Sequence, residues 1–214
     1  IFGASLIVMY STSAIYHIAP WGPRPRRLMR RLDRSVIFLF IAGTYAPFSL
    51  RLMSNAWGIP VLSVVGGLAL VGFMVSLAAP MPPRWVRVGL YIALGWVGIV
   101  AITELIRSLP GEAFALLVLS GILFSVGGAM YAARRPDPFP RVFGYHEVFH
   151  ALQVAATAMI GRFTNELPEH VSIPDRRGGF SRLAIVLVAA GVASEAATLI
   201  APNIFYPLVW IAPF

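Results

Sequence analysis

The stretch WGIPVLSVVGGLALVGFMVSLAA, Trp57 to Ala79, runs for 23 residues without a charged side chain. A hydrocarbon core takes about 20 apolar residues per helical crossing, so this segment reads as a membrane-spanning helix. A helix satisfies its own backbone N–H and C=O groups, as lipid requires. Working outward, six more runs approach spanning length: Ile1 to Ile18, Ser35 to Met53, Trp85 to Ile106, Ala113 to Ala133, Phe143 to Ile160 and Leu183 to Ala201. Proline clusters at Pro20, Pro23 and Pro25, at Pro80, Pro82 and Pro83, and at Pro136, Pro138 and Pro140 separate them, as does the polar stretch Asn165 to Gly179. A last apolar patch, Ile204 to Phe214, is too short to cross and is interrupted by Pro207 and Pro213. The expected fold is all-α, a polytopic membrane helix bundle.

Composition agrees. The chain is 58% hydrophobic and 12% charged, against roughly 45–50% and about 25% in soluble domains. Cysteine is absent, which excludes disulfides, thiolate ligands and a thiol nucleophile. Any metal must be held by His, Asp or Glu. The net charge of +8 comes from 17 arginines and no lysine. These arginines occupy connections between apolar runs and form no separate basic face with stacking aromatics, so nucleic acid is not the expected partner. They fit membrane orientation and anionic headgroups instead.

Their distribution orients the chain. Alternate connections after the first, third and fifth runs hold eleven arginines, six of them in the loop Arg24 to Arg34; the short connections on the other side hold two, Arg51 and Arg107. The positive-inside rule puts the first group in the cytoplasm. Glycines such as Gly66, Gly67, Gly95, Gly98, Gly121, Gly127 and Gly128 are expected to let helices approach closely.

Ionisable groups within or beside spans are costly, and each is a functional hypothesis. Four converge in depth: His17 at the cytoplasmic end of the first run, Asp33 at the start of the second, and His146 and His150 at the start of the sixth. His146 and His150, four apart on a helix, project from one face and suit a single ion, with His17 as third ligand. Three nitrogens and an open position form the pattern of catalytic zinc. Asp33 would orient water or act as base, and Ser13, one turn before His17, would hydrogen-bond water or a reacting oxygen. Taken singly, each histidine also reads as an interfacial or satisfied core residue. The string His146-Glu147-Val148-Phe149-His150 also matches the His-Glu-x-x-His pattern of zinc proteases, with Glu147 as base, although His170 lies on the opposite side. Glu147 reads equally as a partner of a ligand or a headgroup contact.

Four motifs in order carry a resemblance: Ser13-Ala-Ile-Tyr-His17; Arg31-Leu32-Asp33; Ile41-Ala-Gly-Thr-Tyr-Ala-Pro-Phe48; and Phe143-Gly-Tyr-His-Glu-Val-Phe-His150. Gly95-Trp96 and Gly127 to Tyr131 before Arg135-Pro136 are in the same style. Over about Ile1 to Gly161 the chain resembles the hemolysin III family, within the progestin and adiponectin receptor superfamily. The resemblance implies a seven-helix fold, here lacking its first helix, and a zinc site near the cytoplasmic face held by His17, His146 and His150. It also implies that Asp33 contacts the metal through water and that Ser13 lines the site. Lipid amide hydrolysis is the activity of related branches, while the bacterial branch carries the label of haemolysin or channel.

The expected organisation is a hemolysin III-like transmembrane domain over 1–161, a polar linker over 162–182 and an additional C-terminal membrane segment over 183–214, with Glu195 inside an apolar run. The chain opens on Ile1 within such a run, so a native start upstream is expected. The expected function is a zinc-dependent hydrolase of lipid amides or esters in the bacterial inner membrane, acting on a lipid from the inner leaflet. Its alternatives are a membrane sensor with structural zinc or a haemolysin-type channel. Three imidazoles suit Zn2+ and also other first-row metals.

Overall fold

The structure, a computed structural model, describes residues 1–80, 82–138 and 144–165. All regular structure among them is helical: α1 (Phe2–Ile18), α2 (Pro23–Arg51), α3 (Asn55–Ala78), α4 (Arg84–Gly95), a 3-10 turn (Val97–Ala101), α5 (Ile102–Ser108), α6 (Gly111–Ala133) and α7 (Tyr145–Asn165). Three rods are long and apolar enough to cross a membrane: Asn55–Ala78, Arg84–Ser108 and Gly111–Ala133. α1 is a shorter apolar helix. On α3, Leu68, Leu70, Val71, Met74 and Val75 are each more than half exposed, an outward apolar face that water would penalise and lipid accepts. The chain is a polytopic membrane helix bundle. The expected linker beyond residue 165, the C-terminal segment, His170 and Glu195 lie outside the described residues.

Two boundaries differ from the expectation. The arginine-rich segment after the first run is not a loop, because α2 begins at Pro23 and takes in Arg24 to Arg34. Proline is pre-shaped for a first helical turn and arginine has high helix propensity, so hydropathy, which marks only the lipid-facing part, starts this helix too late. Arg31 then uses the extension: its Nη1 donates to Leu77 O at the C-terminal end of α3 at 3.1 Å, where carbonyls lack helical partners.

The fourth run is also not one continuous α-helix. It breaks after Gly95 into the 3-10 turn before resuming as α5. Tyr45, on α2 and 3% exposed, serves the break from across the bundle. Its hydroxyl donates to Gly95 O at 2.6 Å and accepts the Gly98 N–H at 2.9 Å. Broken helices are tolerated at membrane depth where such groups re-satisfy the freed backbone. Gly98 permits the approach, since a Cβ there would lie 3.2 Å from the Tyr45 ring. Gly127 and Gly128 likewise let α6 close on Leu152 of α7 and Val88 of α4. Gly66, Gly67 and Gly95 do not act this way, because a Cβ at any of them would meet nothing within 4 Å.

One cluster of buried side chains, including Val65, Ala69 and Ala101, joins α2, α3, the broken rod and α6. A second, including Leu6, Met9, Phe40 and Ile160, joins α1, α2 and α7. The helices alternate in direction. The end of α1, the start of α2, the end of α3, the start of α4, the end of α6 and the start of α7 therefore meet at one end of the bundle. Arg84 shows this directly, with Nη1 donating to Tyr131 O at 3.1 Å and its guanidinium 5.2 and 5.8 Å from the Tyr131 and Tyr145 ring centroids. At the opposite end, the Ser54 N–H donates to Glu104 Oε1 at 3.1 Å.

Candidate metal centre

The first turn of α7 fixes two of the histidines. The Gly144 N–H donates to Glu147 Oε2 at 2.9 Å and the Tyr145 N–H donates to Asp137 Oδ1 at 3.1 Å. Carboxylates at this position satisfy N–H groups that have no helical partner and complement the helix dipole. Glu147, whose role the pentapeptide left open, is thus engaged as a helix cap. From this turn His146 and His150 project together, with Nε2 atoms 3.0 Å apart and ring centroids 4.5 Å apart. Tyr131 of α6 backs them, its ring 5.7 Å from His146 and 5.2 Å from Phe149.

His17 arrives from the C-terminal turn of α1. Its ring centroid lies 5.6 Å from that of His146 and 6.2 Å from that of His150. One ligand nitrogen from each of the three lies within 4.8 Å of the others. His17 is exposed and the α7 pair partly buried. Asp33, on α2, lies close enough to His17 for charge attraction, and the buried Ser13 stands beside it on the cavity wall. Ser13, His17, Asp33, His146 and His150 all line the same cavity; Glu147 does not.

That cavity has a volume of about 310 Å³. It begins at the histidines, passes Met9, Phe40 and Phe124, and reaches Leu105 and Phe114 towards the opposite end. Phe114 and Tyr131 both line it, so along α6 it extends roughly 25 Å at about 1.5 Å per residue. Sequence reasoning missed several of its polar residues. Arg87 is only 6% exposed and bonds Pro82 O at 3.4 Å; its place inside the apolar run Trp85 to Ile106 was a usable signal. Tyr91, whose hydroxyl donates to Arg34 O at 2.8 Å, carried no signal beyond being a tyrosine in a span. Gln153 of α7, also on the cavity wall, donates Nε2 to Met9 Sδ of α1 at 3.4 Å, and Thr157, off the cavity, accepts from Tyr10 Oη at 3.4 Å.

Residues 1–160 match the family of haemolysin-III related proteins. The chain belongs to that family. It is 32% identical over 158 residues to a hemolysin-3 homolog of Bacillus subtilis (strain 168), covering 74% of this chain and 71% of the relative. It is 33% identical over 162 residues to hemolysin-3 of Bacillus cereus, covering 75% and 70%. An adiponectin receptor protein of Drosophila melanogaster is 24% identical over 176 residues, covering 73% of this chain and 40% of the receptor, consistent with the wider receptor superfamily. No solved structure matches the chain.

Proposed function

We propose that this haemolysin III family member is a zinc-dependent hydrolase of lipid amides or esters, with zinc held by His17, His146 and His150. The observation that carries the reading is the convergence of three imidazole nitrogens within 4.8 Å at the end of a long, mainly apolar cavity, beside a carboxylate. The donor set fits the metal: ligands at about 2.0–2.1 Å in a tetrahedral arrangement stand roughly 3.3 Å apart, and the α7 pair stands 3.0 Å apart. A bound zinc ion supplies Lewis acidity and makes water acidic enough to react near neutral pH. The chain's residues do the rest. Asp33 accepts the proton of an incoming water, and Ser13 holds that carboxylate in place. The cavity takes the acyl chain, its roughly 25 Å being close to the hydrocarbon thickness of about 30 Å. By the positive-inside rule the histidine end faces the cytoplasm of a bacterial inner membrane, so substrate enters from the inner leaflet.

A second reading, a sensor or homeostasis protein with structural zinc, is favoured by the placing of His17 on α1 and its partners on α7, where a shared ion would tie the two helices. The test is metal content of the detergent-purified chain by mass spectrometry, followed by turnover on a panel of lipid amides and esters before and after metal stripping. About one zinc per chain with zinc-dependent turnover supports the hydrolase. Undiminished turnover in stripped protein sinks it, and bound zinc with no turnover of any panel member leaves the structural reading.

A further inference from the structure

Beside the histidine end, sharing Tyr16 with the cavity, the α1–α2 turn forms a second concavity of about 560 Å³ lined by Tyr16, Trp21, Pro23, Arg26, Arg27 and Arg30. The Trp21 indole is fixed as one wall by donating Nε1 to Ile15 O at 3.1 Å. Arg26, Arg27 and Arg30 share one helix face by their three- and four-residue spacing. No Asp or Glu occurs before Asp33, and the first turn of α2 has neither an acidic residue nor a side-chain cap. The positive end of the helix dipole therefore adds to the arginines. The Nε of Arg30 is buried with no hydrogen-bond partner among the described residues. Next to this charge the surface turns apolar, with Ile15, Ile18 and Leu28 50%, 62% and 54% exposed. An occupant needs an anionic head and an apolar body, and indole rings favour the interface where these meet.

We infer that this groove is a discrete binding site for the phosphate headgroup of an anionic phospholipid from the adjoining leaflet, next to the metal cavity and divided from it at Tyr16. Guanidinium groups match phosphate with paired N–H donors, which a lysine ammonium does not.

The test is native mass spectrometry of the full chain in detergent, titrated with dioleoylphosphatidylglycerol, dioleoylphosphatidylcholine or inorganic phosphate. Wild type should retain one phosphatidylglycerol and no phosphatidylcholine. Each arginine near an anionic surface contributes about fivefold in affinity, so the Arg26→Gln/Arg27→Gln/Arg30→Gln variant should bind on the order of a hundredfold more weakly. An Arg51→Gln/Arg107→Gln control should bind as wild type does. Should the glutamine variant fail to fold by circular dichroism, the Arg26→Lys/Arg27→Lys/Arg30→Lys variant replaces it and should bind measurably more weakly than wild type. Undiminished binding in the glutamine or lysine variant, or equal loss in the control, would reduce the effect to diffuse charge and overturn the inference. Displacement of the lipid by millimolar inorganic phosphate would make the occupant a free anion and overturn it as well.

Discussion

Replacing Tyr45 by phenylalanine isolates the device that holds the fourth rod in its broken form. The ring and its contact with Phe48, at 5.1 Å between centroids, are retained, and only the hydroxyl is lost. With it go the bond it donates, directed to Gly95 O at 2.6 Å with Leu94 O at 3.3 Å as a second acceptor, and the bond it accepts from the Gly98 N–H at 2.9 Å. An orphaned buried group costs about 1–3 kcal/mol, and side-chain hydrogen bonds within membranes average about 0.6 kcal/mol with a maximum near 1.7. Two bonds lost together at a helix break put the expected loss at about 2 kcal/mol, read as reversible unfolding of purified protein in mixed micelles. Gly98→Ala attacks the same contact from the other side, because its Cβ would stand 3.2 Å from the Tyr45 ring and force the hydroxyl away. The two changes share one interaction, so the double variant should lose clearly less than the sum of the singles. A Tyr45→Phe loss below about 0.5 kcal/mol, or strict additivity, would refute the assignment of Tyr45 as the group that satisfies the break.

Three further outcomes are expected. Zinc at about 100 times its dissociation constant should stabilise wild type by about 2.7 kcal/mol; His17→Ala should lose most of that zinc-dependent shift, and an unchanged shift would remove His17 from the ligand set. Asp33→Asn should keep its metal, measured by mass spectrometry, while turnover falls about 10²–10⁴-fold, the usual contribution of a general base. Glu147→Ala should cost about 1 kcal/mol of stability as a lost helix cap with turnover largely intact; a collapse of turnover in a well-folded variant would restore Glu147 as the base.

What the sequence discloses here depends on whether the deciding interaction is local. Trp57 to Ala79 is legible as a span because its own composition determines its solvent, and α3 follows it closely. The start of α2 is not legible from hydropathy, since a water-exposed helix of arginines and a water-exposed loop of arginines look alike on that scale; Pro23 and Pro25 at the first turn were the readable sign. The break after Gly95 is invisible along the chain because its hydrogen-bond partner, Tyr45, is 50 residues upstream. The histidine constellation was reachable by an indirect route. Counting arginines placed His17, Asp33, His146 and His150 at one end, and the structure brings their side chains to one cavity wall. Arg87 escaped because it sits one turn from the charged start of its run, where an arginine reads as a headgroup contact, and only the fold shows that it is buried.

The position of Asp33 separates the two readings of a metal at this site more sharply than the histidines do. A purely structural ion needs to join α1 to α7, the pair that otherwise meets through contacts such as Tyr10 to Thr157 and Gln153 to Met9, and three imidazoles from those two helices suffice. A carboxylate from a third helix adds nothing to that tie and costs desolvation at membrane depth. Asp33 nonetheless stands near His17 with Ser13 beside it, on the cavity wall where an acyl chain would end. If a metal were held by the three histidines, a carboxylate beside it would serve proton transfer to and from water, so on the proposed reading the third helix is the part of the site that a structural ion does not call for and hydrolysis would.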